Sequence, residues 1–197
     1  MRVIAGSHRG RRLNGPRGTS LRPTSDKVRE ALFSILASRI PGSRFLDFYA
    51  GTGAVGIEAF SRGAATVSFV EADPTAVQLM RKNLAMCGML DHADVHMASI
   101  ETFLRQPQSW SGPYDVLFAD PPYADRKAVD LVLGSWHLEL LSSKAVMVIE
   151  QESRAELPAE TDCAKLLRRY DYGDTALFVY VKGGDTASGG AASWYSG

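Results

Sequence analysis

Two short stretches hold residue types that do chemistry. Asp120-Pro121-Pro122-Tyr123 closes an apolar run, and one specified tetrapeptide should arise by chance in 197 residues on the order of once in a thousand. An exocyclic amine on a nucleobase is a poor nucleophile, because its lone pair is delocalised into the ring. The Asp120 carboxylate and the Pro121 carbonyl are two acceptors able to take both of its N–H groups. That favours a pyramidal nitrogen with its lone pair aimed at an electrophilic methyl group. Proline adds no N–H to compete for the site. Tyr123 offers a ring on which a base that has left its helix can stack. A positively charged leaving group supplies the driving force, so no strong base is required. Asp120, backbone or water can take the proton. The bland alternative is a proline-stiffened turn ahead of a helix.

The second stretch is Asp47-Phe48-Tyr49-Ala50-Gly51-Thr52-Gly53-Ala54-Val55-Gly56, read as a strand passing through a glycine-rich turn into a helix. As G-x-G-x-x-G it fits a dinucleotide site, with Glu71 twenty residues past Gly51 placed for a ribose diol. Asp47 argues otherwise. Its carboxylate lies four residues before the first glycine, where it would repel a pyrophosphate. S-adenosylmethionine, with an ammonium, a sulfonium and a ribose, tolerates that charge and leaves as S-adenosylhomocysteine. Asp47, Ala50, Gly51, Gly53 and Glu71 are the expected contacts. A βα turn that binds nothing is the alternative.

The elements that must position these residues alternate from residue 25 onward. Ser25 is a candidate N-cap for a helix carrying Val28, Leu32, Ile35 and Leu36, and Asp73-Pro74 opens another helix that stops at Gly88. Strands are expected at Phe45–Tyr49, Val67–Glu71, Val95–Ala98, Asp115–Ala119 and Ala145–Glu150. Runs 165–170 and 176–182 pair as a terminal antiparallel hairpin. Five βα units and that hairpin give an α/β fold: an open, mostly parallel seven-stranded sheet with helices on both faces. Ligands gather where chain order reverses, at the carboxyl ends of the first and fourth strands.

Residues 1–24 read as a basic arm or hairpin, 25–182 as the main domain and 183–197 as a flexible tail rich in glycine, alanine and serine. The net charge of zero conceals an asymmetry. Residues 1–30 hold eight basic and two acidic side chains, against 14 and 20 in the remainder. A basic arm on an acidic body suits a polyanion met at one end, with Arg9, Arg11, Arg12 and Arg22 as phosphate contacts. A solvated terminus is the alternative. No apolar run reaches membrane length and no secretory h-region opens the chain. Cys87 and Cys163, 76 residues apart, suit a reducing cytoplasm rather than a disulfide framework. His92, His96 and His137 lack partners at ligand spacing, so no metal is expected. No dimer-like apolar segment stands out, so a monomer is expected.

The chain resembles the RsmD family of small-subunit ribosomal RNA guanine-N2 methyltransferases over about residues 1–182. The resemblance rests on Met1-Arg2-Val3-Ile4-Ala5-Gly6 with His8-Arg9-Gly10-Arg11, and on Leu21–Glu30, Phe45–Ala64, Phe69-Val70-Glu71 and Asp120–Tyr123. It implies a class I, Rossmann-like methyltransferase with S-adenosylmethionine as donor. The implied acceptor is a guanosine of 16S rRNA in an assembled or assembling 30S particle. It also implies that Asp47, Gly51, Gly53 and Glu71 contact the donor and that Asp120, Pro121, Pro122 and Tyr123 form the catalytic loop. Where relatives often carry an acid for the adenine amine, this chain has Ser99, so its hydroxyl or the Ile100 backbone takes that role. Three rivals stay open: an amino methyltransferase of another RNA or DNA base, a nicotinamide dehydrogenase, and a non-catalytic RNA-binding assembly factor.

Overall fold

Local chemistry sets the helix boundaries. The Ser25 hydroxyl accepts from the Val28 amide and opens α1 (Asp26–Ile35), and Asp73 caps α3 (Pro74–Cys87), which Gly88 ends in a left-handed conformation. Ser99 caps α4 (Ile100–Leu104) and Asp125 caps α5 (Arg126–Gly134), while α2 (Ala54–Ser61) grows directly out of the glycine turn. The computed structural model describes residues 1–15, 25–123 and 125–183. The tail from 184, residues 16–24 and with them Arg22 lie outside the described residues. Among the described residues, no helix is long and apolar enough to cross a membrane.

The strands are β1 (Arg44–Phe48), β2 (Thr66–Glu71), β3 (Ala93–Met97), β4 (Tyr114–Ala119), β5 (Leu141–Glu152), β6 (Ala164–Tyr172) and β7 (Thr175–Lys182). They form one seven-stranded sheet in the order β3-β2-β1-β4-β5-β7-β6. β1 to β5 run parallel, and β7 and β6 close the sheet antiparallel. The inner strands are buried on both faces, which is why β1, β2 and β4 read as apolar runs rather than alternating ones. Residues of α1, α2 and α3 pack on one face with Phe45, Phe69 and Val116. Residues of α4 and α5 pack on the other with Phe48, Leu117 and Met147.

Two expectations need correction. The fifth helix is α1, which precedes β1, and no helix follows β5 among the described residues. The chain between β5 and β6 instead forms a loop that Tyr180 pins by donating its hydroxyl to the Pro158 carbonyl, at 2.8 Å. Tyr49, expected to end β1, leaves the strand at φ 57°.

The basic N-terminal stretch forms a hairpin closed by an Arg2–Arg12 bridge and rooted by buried Val3 and Leu13. A buried carboxylate anchors it. Glu58 accepts from the Ile4 and Ala5 amides, at 2.7 and 2.9 Å, and from Arg62 Nε at 2.7 Å. Gly6 sits at φ 83°, where a Cβ would lie 1.8 Å from the Ser61 carbonyl oxygen, so the turn presses directly on the end of α2. Glu58→Ala strands two amides and a guanidinium. It is expected to cost about 3 kcal/mol in urea unfolding and to expose residues 1–15 to protease first. A cost below about 1 kcal/mol would mean that the hairpin is held by something else.

Candidate active site

Chain order reverses between β1 and β4, and the chemistry-bearing residues meet there. Asp47 is 1% exposed, and its Oδ2 accepts from the Gly56 amide at 2.9 Å, which ties the end of β1 to the first turn of α2. Glu71, ending β2, accepts from the Gly51 amide through Oε2 and from the Asp73 amide through Oε1, both at 2.8 Å. The Ala50 amide donates to the Val70 carbonyl at 3.2 Å. Gly53, at φ 75°, lies so close to α3 that a Cβ would come within 2.7 Å of Met80 Cγ. Gly56 serves packing, since a Cβ there would come within 2.2 Å of the Phe69 ring. The Gly51 N–H, which a pyrophosphate would require, is therefore already held by a carboxylate. That removes the main support for a dinucleotide reading.

Three acids crowd this point. Burial pushes the Asp47 carboxyl up to about 8; the Gly56 hydrogen bond opposes the rise, and the charges of Asp120 and Glu71 add to it. Burial also raises Asp120, to about 7. Carboxylates held together this way favour whatever brings positive charge.

Beside them lies a cleft of about 270 Å³ lined by Tyr49, Glu71, Ser99, Ile100, Glu101 and Asp125. Val70 and Leu131 add apolar wall, which suits a flat ring. Ser99 and Ile100 stand where expected, but the Ser99 hydroxyl is engaged in capping α4, accepting from the Thr102 amide at 3.1 Å and meeting the Thr102 hydroxyl at 2.9 Å. Glu101 and Asp125 went unnoticed as lining residues. The signals were an acid in the first turn of one helix and an N-cap acid on the next.

The tetrapeptide follows β4. The Asp125 amide donates to the Pro122 carbonyl at 3.1 Å, Tyr123 is 36% exposed, and Pro121 is buried. The Pro121 carbonyl accepts from Gln151 Nε2 at 3.0 Å. Gln151 escaped the sequence because its partner lies 30 residues away across a strand.

Arg9 and Arg12 are exposed, whereas Arg11 also donates to the Met86 carbonyl near the end of α3. The hairpin turn docks at Ser61, at the far end of α2, about 12 Å from the glycine loop by helical rise. The other end of the hairpin reaches that loop: Asn83 Nδ2 donates to both the Asn14 and Thr52 carbonyls, at 3.1 and 3.0 Å.

A family model described as conserved hypothetical protein 95 matches residues 1–181. Ribosomal RNA small subunit methyltransferase D of Escherichia coli K12 is 35% identical over 186 residues, 92% of this chain and 90% of that protein. The chain belongs to the RsmD family. The protein of the same name from Haemophilus influenzae is 37% identical over 154 residues, 77% of this chain and 79% of its own. Among solved structures, yhhF of Escherichia coli superposes with a TM-score of 0.79 at 34% identity, covering 92% of this chain and 97% of that one. The RsmD sheet seen here is that of class I methyltransferases, mostly parallel with antiparallel terminal strands.

Raised acids leave a pH signature. Asp47 and Asp120 start from an ordinary value of 3.8 and reach about 8 and about 7 in the fold, so between these limits the folded chain binds more protons than the unfolded one. Stability therefore falls as pH rises through that window. Asp47→Asn keeps an acceptor for the Gly56 amide and should flatten the fall by at least about 1 kcal/mol, read from denaturation at the two ends of the window. Parallel curves for variant and parent would contradict the charge crowding.

Proposed function

We propose that the chain transfers the methyl group of S-adenosylmethionine to the exocyclic N2 of a guanosine in small-subunit ribosomal RNA, presented in an assembled or assembling subunit. The observation that carries this reading is the pair of acceptors, Asp120 and the Pro121 carbonyl, at the switch point beside an acid-rich cleft. The names of the Escherichia coli and Haemophilus influenzae relatives support the RNA class.

The residues present fit the donor. Crowded carboxylates offset a positive ligand, the cleft has apolar walls for a purine, and Glu71 retains lone pairs for ribose hydroxyls while holding the Gly51 amide. When bound, S-adenosylmethionine supplies a methyl made electrophilic by positive sulfur and departs as S-adenosylhomocysteine. Asp120 and the Pro121 carbonyl accept the two N–H groups of the substrate amine, which localises its lone pair. With the methyl supplied in that way, the substrate nitrogen would have one proton to shed. Asp120 takes it, since a carboxyl held near neutrality can receive a proton and release it to water. Tyr123 stacks on the base and Pro122 stiffens the loop. Arg9 and Arg12 contact phosphate, Arg11 shares that duty with its bond to α3, and Arg22 completes the set.

Labelled S-adenosylmethionine offered with unmodified small subunits, naked rRNA and duplex DNA should yield N2-methylguanosine from the subunits. Label in adenine or DNA would overturn the substrate, and no label anywhere would favour a non-catalytic assembly factor. Asp120→Ala should lower kcat by about 10²–10³-fold with donor affinity little changed. Wild-type kcat should rise with pH through about 7 as Asp120 ionises, and the variant should lose that rise. Equal losses of donor binding and turnover would contradict the role of Asp120. Replacing Arg9 and Arg12 by Gln should reduce the salt slope of RNA binding by about 1 to 2. An unchanged slope would contradict the arm's role.

A further inference from the structure

A second cleft, of about 300 Å³, opens on the β5 side of the Asp120–Tyr123 loop and shares Asp125 with the donor cleft. Gln151 lines it and links it to the reacting loop. This side chain is 3% exposed, and its Nε2 donates to the Pro121 carbonyl at 3.0 Å. A carbonyl has two lone pairs, so Gln151 fixes the oxygen through one and leaves the other for a substrate N–H. A buried amide in this role sets the direction of an acceptor that the chemistry needs.

The charged groups of this cleft form a particular mixture. Arg126 and Arg154 are exposed guanidinium groups. Arg126 meets Asp130 only at 3.8 Å in a solvent-exposed pair, which leaves it free to exchange partners at little cost. Glu152 and Glu156 add exposed carboxylates, and Asp125 uses its own to cap α5. The base edge of guanine presents N1–H and N2–H donors side by side and needs acceptors, while a phosphate needs guanidinium forks. Adenine and cytosine instead place a ring-nitrogen acceptor beside their amine, and a carboxylate repels it.

We propose that this second cleft is the acceptor-nucleotide subsite. It is selective for a guanosine phosphate: Arg126 and Arg154 hold the phosphate, Glu152 accepts from the guanine N1–H, and Gln151 acts as a positioning residue on the Pro121 carbonyl. The subsite rests on the transfer reading above, but its binding can be tested without turnover.

Guanosine 5′-monophosphate titrated into the full chain should shift the side-chain amide resonance of Gln151, and adenosine 5′-monophosphate should bind more weakly. Arg154→Gln should weaken the guanosine nucleotide about tenfold. No shift, equal binding of the two nucleotides, or wild-type affinity in Arg154→Gln overturns the subsite. On RNA, Gln151→Leu should lose about tenfold in kcat with donor affinity and thermal midpoint unchanged. Gln151→Glu can donate to Pro121 only when protonated, so its rate should fall as pH rises, opposite to the wild type. A wild-type kcat in Gln151→Leu, or a wild-type pH profile in Gln151→Glu, overturns the positioning role. If the nucleotide binds as described but no RNA is methylated, the subsite stands and the transfer reading falls. If RNA is methylated while the nucleotide leaves Gln151 unmoved, the subsite falls alone.

Discussion

The open end of the sheet depends on carboxylates that hold backbone amides. Asp47 takes the Gly56 N–H and Glu71 takes those of Gly51 and Asp73, so two acids define the path of the chain from β1 through the glycine turn and from β2 into α3. The same bonds place negative charge around one point. A loop could be fixed by neutral groups at less electrostatic cost. Here the acids hold the turn and also create a demand for positive charge, which burial magnifies at Asp47. The fold thus carries a local destabilisation that a cationic ligand would relieve. Stability and ligand affinity at this end of the sheet are two readings of one electrostatic term.

Two clefts flank the Asp120–Tyr123 loop. One opens toward the ends of β2 and β3 and has apolar walls beside Glu71. The other opens toward β5 and is lined mostly by charged groups. Between them, Asp125 caps α5 and its amide donates to the Pro122 carbonyl, so the loop is tied at its far end to a helix start. With Gln151 on Pro121, the loop is restrained from β5 and from the helix that follows. Restraint of this kind keeps reacting groups in place without reorganisation during the transfer.

What the sequence revealed follows the range of the interactions concerned. Caps at Ser25, Asp73 and Ser99 act within three residues and were legible as residue types at fixed offsets. The switch-point location of Asp47 and Asp120 followed from the alternating pattern of strands and helices, and Glu71 from its spacing to Gly51. Tyr49 was misplaced because an apolar aromatic after a strand reads as more strand, and its left-handed turn is imposed by the contacts of the glycine loop. Gln151 reads only as a polar residue late in an apolar strand, and Glu58 as an ordinary helical acid. Their partners lie 30 and 54 residues away, and only the packed sheet brings them together. Arg29 is the extreme case: a fully buried guanidinium that donates to the Arg2 carbonyl and to Asp26, at 2.7 and 2.8 Å, where helix patterning would put an exposed charge.

The basic hairpin and the catalytic end are connected more directly than their separation suggests. The turn docks on the end of α2, far from the glycine loop, and carries Arg9 with it. Asn83 closes that gap from below. Fully buried on α3, it accepts from the Asn14 amide at 2.8 Å and donates to the Asn14 and Thr52 carbonyls. One side-chain amide therefore fixes the root of the arm and the middle of the glycine turn together. Residues 1–15, anchored by Glu58, Asn83 and Arg29, cannot swing as a loose tether. Under the proposed transfer reading, a hairpin anchored in this way would favour a folded partner, whose phosphates and reacting base would have to match both positions at once. A flexible strand could meet the arm and the site in many registers, but a folded RNA can satisfy both only where its shape matches.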